Sequence, residues 1–226
     1  MNDEGDRSAP QENLMKRLLK EASDLAKQGR IDEMESAIKQ ILGRDLLTGI
    51  LNRVGFLERL EEDIQSCVES ADDEQPNRRR GDEGRRMIQN PLCLVFLDLD
   101  RFKNINNDVG YVGGDVVLKT TARCLTEGFR SSDIVGRIYG DEFALALRGT
   151  TEETVRERLL DVQRQLRDYP WNFDDIEQDS CRHLKEPVTF TVDLVMLDGE
   201  EDFEKVERAF RNASDSVLEK KKERPR

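Results

Sequence analysis

Long apolar runs, paired-cysteine spacing, histidine and net positive charge are what this chain has little of. No stretch of about 18 apolar residues occurs, which excludes a membrane-spanning helix. The four cysteines, Cys67, Cys93, Cys124 and Cys181, show no C-x-x-C spacing. Three sit among apolar neighbours, where a reduced thiol acts as a small hydrophobe, so the expectation is reduced cysteines in a cytoplasmic protein. Met1 to Pro10 is acidic and lacks the basic-then-apolar pattern of an export leader. The single histidine, His183, falls in an irregular stretch outside every motif, which argues against histidine acid–base chemistry. With 36 Lys and Arg against 48 Asp and Glu, the net charge of -12 argues against sequence-independent binding to nucleic acid, whose phosphates repel an acidic face.

What is there suffices for one catalytic domain with a short appendage: 226 residues at 36% hydrophobic content can bury a full core without disulfides or a structural metal. Residues 1–12 read as a disordered tail. Residues 13–43 read as a helical arm, with Leu14, Leu18, Ala22 and Leu25 on one helix, an interruption at Gly29, and Ile31, Met34, Ile38 and Ile41 on a second. The arm has too few apolar residues to stand alone, so its stripe packs on the main body or on a second copy.

The remaining domain spans residues 44–226. A helix carrying Leu57, Leu60, Ile64 and Val68 runs to about Ser70, and residues 71–90, almost without apolar side chains, read as a mobile surface loop. Leu92 to Leu99 is apolar on both faces, as in a central strand covered on each side. A helix from about Gly114 to Glu127 follows. Ile134 to Ile138 and Phe143 to Leu147 pair as a hairpin around Tyr139 to Glu142. Thr150 with Glu153 resembles a capping box that opens a helix with Val155, Leu159, Val162 and Leu166 on its buried face. Val188 to Met196 gives a last strand, and Phe203, Val206, Phe210, Ala213 and Val217 a last helix. Strand, helix, hairpin, helix, strand, helix implies an α+β fold with an antiparallel or mixed sheet and helices packed on it.

The chemistry sits at the strand ends. Residues two apart in a strand share a face, so Asp98 and Asp100 can point the same way where the sheet gives out. Magnesium takes hard oxygen ligands, commonly one or two carboxylates plus water and substrate phosphate, and Asp98 with Asp141 would supply them. Lys103, Asn106, Gly110, Gly113, Gly114 and Asp115 follow closely.

Three motifs in order carry a resemblance. Asp45 to Arg53 is similar to D-x-L-T-G-L-x-N-R, Asp98 to Asp115 to D-x-D-x-F-K-x-x-N-D-x-x-G-H-x-x-G-D, and Tyr139 to Phe143 stands where G-G-D-E-F is found. Over residues 45–226 the chain resembles the diguanylate cyclase, or GGDEF-domain, family. The resemblance implies a nucleotide-cyclase, polymerase-palm-like fold, a mostly antiparallel central sheet flanked by helices. It implies a homodimer in which each subunit holds one GTP and the two GTP become cyclic di-GMP and two pyrophosphates, with two Mg2+ per GTP and Mn2+ as a substitute. Asp98 and Asp141 would be the metal carboxylates, with the Leu99 carbonyl as a further ligand. Glu142 would sit beside the reacting 3'-hydroxyl. Lys103, Gly140 and the backbone near Arg101 and Phe102 would hold the triphosphate, while Asn106 and Asp115 would read guanine. A carboxylate accepts from guanine's two adjacent donors and finds no such pair on adenine. Ser214 to Lys222 fits the family's terminal helix, so that Lys222 and Arg226 would clasp phosphate. Arg130 and Asp133, with Arg137 nearby, match the R-x-x-D site through which cyclic di-GMP represses many family members.

Three departures stand out. Tyr139 replaces the first glycine of the signature, Tyr111 the histidine, and Asp193 the glycine of the family's S-x-G strand. They keep open a second expectation, a degenerate domain that binds GTP or cyclic di-GMP without turnover, and a third, a scaffold acting through the arm.

Overall fold

The computed structural model describes residues 20, 23–73, 91–173, 183–197, 204–210 and 212. The proposed tail and most of the loop at 71–90 lie outside them, as do Lys222 and Arg226.

Helices α1 (Ile31–Leu42) and α2 (Arg53–Asp73) precede strand β1 (Leu92–Leu99), helix α3 (Phe102–Gly128), strands β2 (Ile134–Tyr139) and β3 (Glu142–Arg148), helix α4 (Glu152–Arg167) and strand β4 (Phe190–Leu197). Residues 204–210 form a further helix, α5. The sheet order is β2-β3-β1-β4, with every neighbouring pair antiparallel. It is the α+β, palm-like architecture, and β1 is buried at all eight positions because both faces are covered.

Alternation along β1 divides the core in two. Cys93, Val95, Leu97 and Leu99 face one cluster, filled by Ile105, Val117, Leu118 and Leu125 of α3 and Val155, Leu159, Val162 and Leu166 of α4. Leu92, Leu94 and Phe96 face the other, filled by Phe56, Leu60 and Ile64 of α2 and Val206 and Phe210 of α5. The Phe96 and Phe210 rings meet edge-on with centroids 4.7 Å apart, clamping α5 to the middle of the central strand. Cys93 and Cys124 are free and buried, and burial pushes the Cys93 thiol up to about 11, where it stays protonated and unreactive.

The hairpin strands each extend to the two-residue turn, as Ile134–Tyr139 and Glu142–Arg148, and other boundaries also differ from the sequence expectation. Helix α3 starts at Phe102, not near Gly114, because Phe102, Ile105 and Val109 give it an apolar side, and Gly110 (φ 74, ψ 171) bends it internally. Helix α2 continues to Asp73, three residues into the expected loop. The cap of α4 is Thr151, whose hydroxyl accepts from the Thr154 amide, so Thr150 and Glu153 form no capping box. Strand β4 begins at Phe190, not Val188, because its partner β1 ends at Leu99, the residue opposite Phe190.

After α4, a short aromatic segment runs back across the helices. Tyr169 and Trp171 have ring centroids 4.6 Å apart, Trp171 lies parallel to Phe173, and the Trp171 indole donates to the Leu166 carbonyl. Phe173 ends against Gly113, where a Cβ would meet its ring at 3.3 Å.

Candidate active site

The antiparallel register sets Asp98 at the end of β1 directly opposite Glu142 of β3 on one side and Thr191 of β4 on the other. Directly opposed residues share a face, so the Asp98 and Glu142 carboxylates belong to one side of the sheet. The Leu99 amide donates to the Asp141 carbonyl at 3.2 Å, which draws the hairpin turn onto the end of β1. Asp98 is 4% exposed, while Asp141 and Glu142 are half-buried beside it. Among the described residues no three His, Cys, Asp or Glu side chains converge as a closed metal cage. Two carboxylates and a carbonyl are hard oxygen donors, and magnesium that shares its shell with phosphate and water asks for no more.

The turn itself is two residues, Gly140 and Asp141, and the left-handed φ of 41° falls on Gly140. Tyr139 keeps a negative φ and is 71% exposed, so the signature's first position needs no glycine for backbone reasons and the ring stands out of the protein interior. Tyr111 is likewise outside the core at 79% exposure. Asp193 pairs with Phe96 and therefore lies on the Asp98 face of the sheet, one row further from the strand end.

One ion pair fixes this turn from behind. The Arg137 guanidinium donates through Nε to the Gly140 carbonyl at 2.7 Å and through Nη1 to the Asp45 carboxylate at 3.0 and 3.2 Å. Asp45 also accepts from the Thr48 amide and hydroxyl at 2.8 and 2.6 Å. Burial pushes the Asp45 carboxyl up, but the Thr48 hydrogen bonds and Arg137 outweigh it and hold the group below the ordinary value. A carboxyl lowered on folding stabilises the native state above its unfolded pKa and loses that contribution as pH falls through the folded one. Asp45→Asn is therefore expected to lower stability by about 1–3 kcal/mol at neutral pH. The gap to the parent should close as pH drops below about 4, followed by urea unfolding at a series of pH values.

Beyond β1 the chain turns through Arg101 (φ 54) into α3. Phe102 and Asn106 are half-buried, and Lys103 is exposed in the first turn. A Cβ on Gly114 would fall 1.9 Å from the Asn106 Oδ1 and 3.3 Å from the Phe102 ring, so Asn106 folds over Gly114 next to half-buried Asp115. Arg130 and Asp133 form a tight turn, the Arg130 amide donating to the Asp133 carboxylate at 2.8 Å, with the Arg130 side chain exposed. Arg137 points away from that turn, toward Asp45 and Gly140.

Sequence reading passed over three groups. Asp45 was visible only as part of a motif, Asp108 takes the Lys185 ammonium at 2.7 Å, and Thr189 and Thr191 hydrogen-bond the Asp100 carboxylate at 2.7 and 2.6 Å. All join residues 77 to 92 positions apart, a separation that carries no local pattern.

An acidic strand end and a glycine-pivoted acidic hairpin thus meet at one end of a palm-like sheet. Residues 78–226 match the family described as "Diguanylate cyclase, GGDEF domain", and the chain belongs to that family. It is 35% identical over 129 residues to the diguanylate cyclase DgcP of Pseudomonas aeruginosa, covering 57% of this chain and 16% of that one. It is also 33% identical over 116 residues to the cyclic di-GMP phosphodiesterase NbdA of the same organism, covering 51% and 12% respectively. The chain thus spans a small part of each of these relatives. Among solved structures, the coiled coil and GGDEF domain of DgcB from Caulobacter crescentus in complex with c-di-GMP superposes with a TM-score of 0.65 at 18% identity, over 90% of this chain and 93% of that one. Diguanylate cyclase SiaD of Pseudomonas aeruginosa, solved with its activator SiaC, gives 0.55 at 25% identity over 93% and 70%.

Proposed function

We propose that this chain is a magnesium-dependent diguanylate cyclase that joins two GTP into cyclic di-GMP and releases two pyrophosphates. The observation that carries the reading is the pairing of Asp98 with Glu142 in the sheet, with the Asp141 carbonyl bonded to the Leu99 amide, beside the turn that opens α3. Asp98, Asp141 and the Leu99 carbonyl would hold the metal, and Mn2+ would substitute. A magnesium ion held by these groups would supply charge neutralisation for the triphosphate and polarisation of the α-phosphorus. Glu142 would sit beside the reacting 3'-hydroxyl and accept its proton. Lys103 and the backbone of Arg101, Phe102 and Gly140 receive phosphate oxygens, assisted by Lys222 and Arg226. Positioning and charge neutralisation, rather than covalent chemistry by the protein, supply the rate.

Asn106 and Asp115 read guanine. Gly114→Ala pushes the Asn106 amide out of place, and is expected to lower the preference for GTP over ATP about tenfold, the worth of one specific polar contact. Competition binding measures it.

Catalysis on two GTP needs two facing subunits. Ile31, Ile38 and Leu42 stand exposed along α1, a stripe that a second copy would cover. Product would return to the Arg130 and Asp133 turn as a brake, with Arg137 holding the adjoining strand in register. The arm at 13–43, the tail at 1–12 and the catalytic unit at 44–226 form the working division of the chain.

The test is incubation of the protein with GTP and Mg2+ and detection of cyclic di-GMP by mass spectrometry, with and without added product. Absence of product at protein concentrations that give dimers would overturn the enzymatic reading. Asp193 on the Asp98 face supports one rival, a domain that binds the nucleotide without turnover. Calorimetric binding that survives Asp141→Ala, in the absence of turnover, would select it.

A further inference from the structure

Asp100 lies two residues beyond Asp98 and reads from sequence as a second carboxylate for the cleft. Its carboxylate has a different engagement. The Thr189 hydroxyl donates to one oxygen at 2.7 Å and the Thr191 hydroxyl to the other at 2.6 Å, while the Asp100 amide donates to the Thr189 carbonyl at 2.8 Å. Three hydrogen bonds thus tie this one residue to the chain entering β4.

The residue that follows is the unusual one. Arg101, at φ 54 and ψ 35, is the one non-glycine residue with positive φ among the described residues. A side-chain-bearing residue stays in the left-handed region only where its surroundings over-determine it. Two further contacts tie the same neighbourhood to residues 185 and 186: Arg101 is ion-paired with Glu186, and Lys185 with Asp108, where the ammonium holds the carboxyl below its ordinary value. The conformation has a use. It reverses the chain so that α3 opens immediately, the Arg101 carbonyl accepting from Asn104 at 2.7 Å and Ile105 at 3.2 Å. The first amides of a helix have no acceptor within it, and Lys103 follows one residue later.

We propose that Asp100 is a positioning residue and not a metal ligand. Through Thr189 and Thr191 it fixes the left-handed turn at Arg101, and thereby the amides and the lysine that receive the triphosphate. This rests on the reading of the site as a GTP site. Its effect falls on phosphate affinity and leaves guanine and metal binding in place.

The experiment uses the full chain, a non-hydrolysable GTP analogue and GMP as paired probes, and Mg2+ titrations. Thr189→Val/Thr191→Val is expected to bind the analogue about tenfold more weakly. GMP affinity and the Mg2+ concentration for half-saturation measured without nucleotide should stay unchanged, and Thr189→Ser/Thr191→Ser should restore the parent value. If the double valine variant fails to fold, Thr189→Val alone, at a half-buried position, gives the same ratio to read. Equal losses for both probes, or no loss for either, would overturn the assignment. So would a raised Mg2+ requirement in Asp100→Asn, the mark of a metal ligand. A parent chain with no preference for triphosphate over monophosphate would overturn the GTP-site reading, and this with it. A valine variant without loss, in a chain that has that preference, overturns the role of Asp100 alone.

Discussion

Asp98→Asn and Asp141→Asn are each expected to lower cyclic di-GMP synthesis by about a thousandfold, the scale on which loss of one preorganised electrostatic group slows a reaction that depends on charge stabilisation. An amide keeps the shape of the carboxylate but removes the charge that holds a divalent cation. Asp141 is half-buried on a turn, so its replacement should leave the melting temperature near that of the parent. Asp98 is 4% exposed at the end of the central strand, and its variant separates chemistry from folding only if circular dichroism shows the fold retained. Initial rates over a Mg2+ and Mn2+ series give the readout. Activity within tenfold of the parent in Asp141→Asn would remove that residue from the metal site.

The second large effect is on stability, and its sign is opposite to what local propensity predicts. Gly55 is the third residue of α2, where alanine is ordinarily the better helix former by about 1 kcal/mol. Here an added Cβ would lie 2.1 Å from the Gly43 carbonyl oxygen and 2.7 Å from the Gly43 Cα, both backbone atoms. Neither can rotate aside, so the join between α1 and α2 must open. That join is made by the Asn52 amide donating to Gly43 at 2.9 Å and by the Asn52 side chain donating to Leu42 and Arg44. Gly55→Ala is therefore expected to cost about 3 kcal/mol, the sum of overpacking and weakened hydrogen bonds. The midpoint of thermal unfolding should drop by about 6–12 °C. An unchanged or raised midpoint would mean that the backbone at Gly43 yields easily.

The elements that sequence made legible are those with strong local periodicity. β1 reads as a doubly covered strand because all eight of its residues but Asp98 are apolar, and α4 shows its buried face at Val155, Leu159, Val162 and Leu166. The first half of α3 was hidden by its composition: asparagines and glycines dilute the helical pattern between Phe102 and Gly114, and Gly110 bends it. The acidic strand end and hairpin were legible because a motif concentrates them in a few residues. What holds them was not. Asp45 with Arg137, Asp108 with Lys185, and Asp100 with its two threonines depend on register across the sheet, and register follows from packing of the whole chain. Tyr139 shows the same limit in reverse: sequence marks it as a departure, and only the backbone reveals that the glycine requirement sits one residue later.

The aromatic segment after α4 has a practical consequence. Trp171 is the sole tryptophan of the chain, its indole anchored on the end of one helix and its ring plane aligned with Phe173, which abuts α3 at Gly113, three residues past the bend at Gly110. Its emission is thus an intrinsic optical gauge, free of any label, for movements along the edge of the cleft when a purine nucleotide is titrated in.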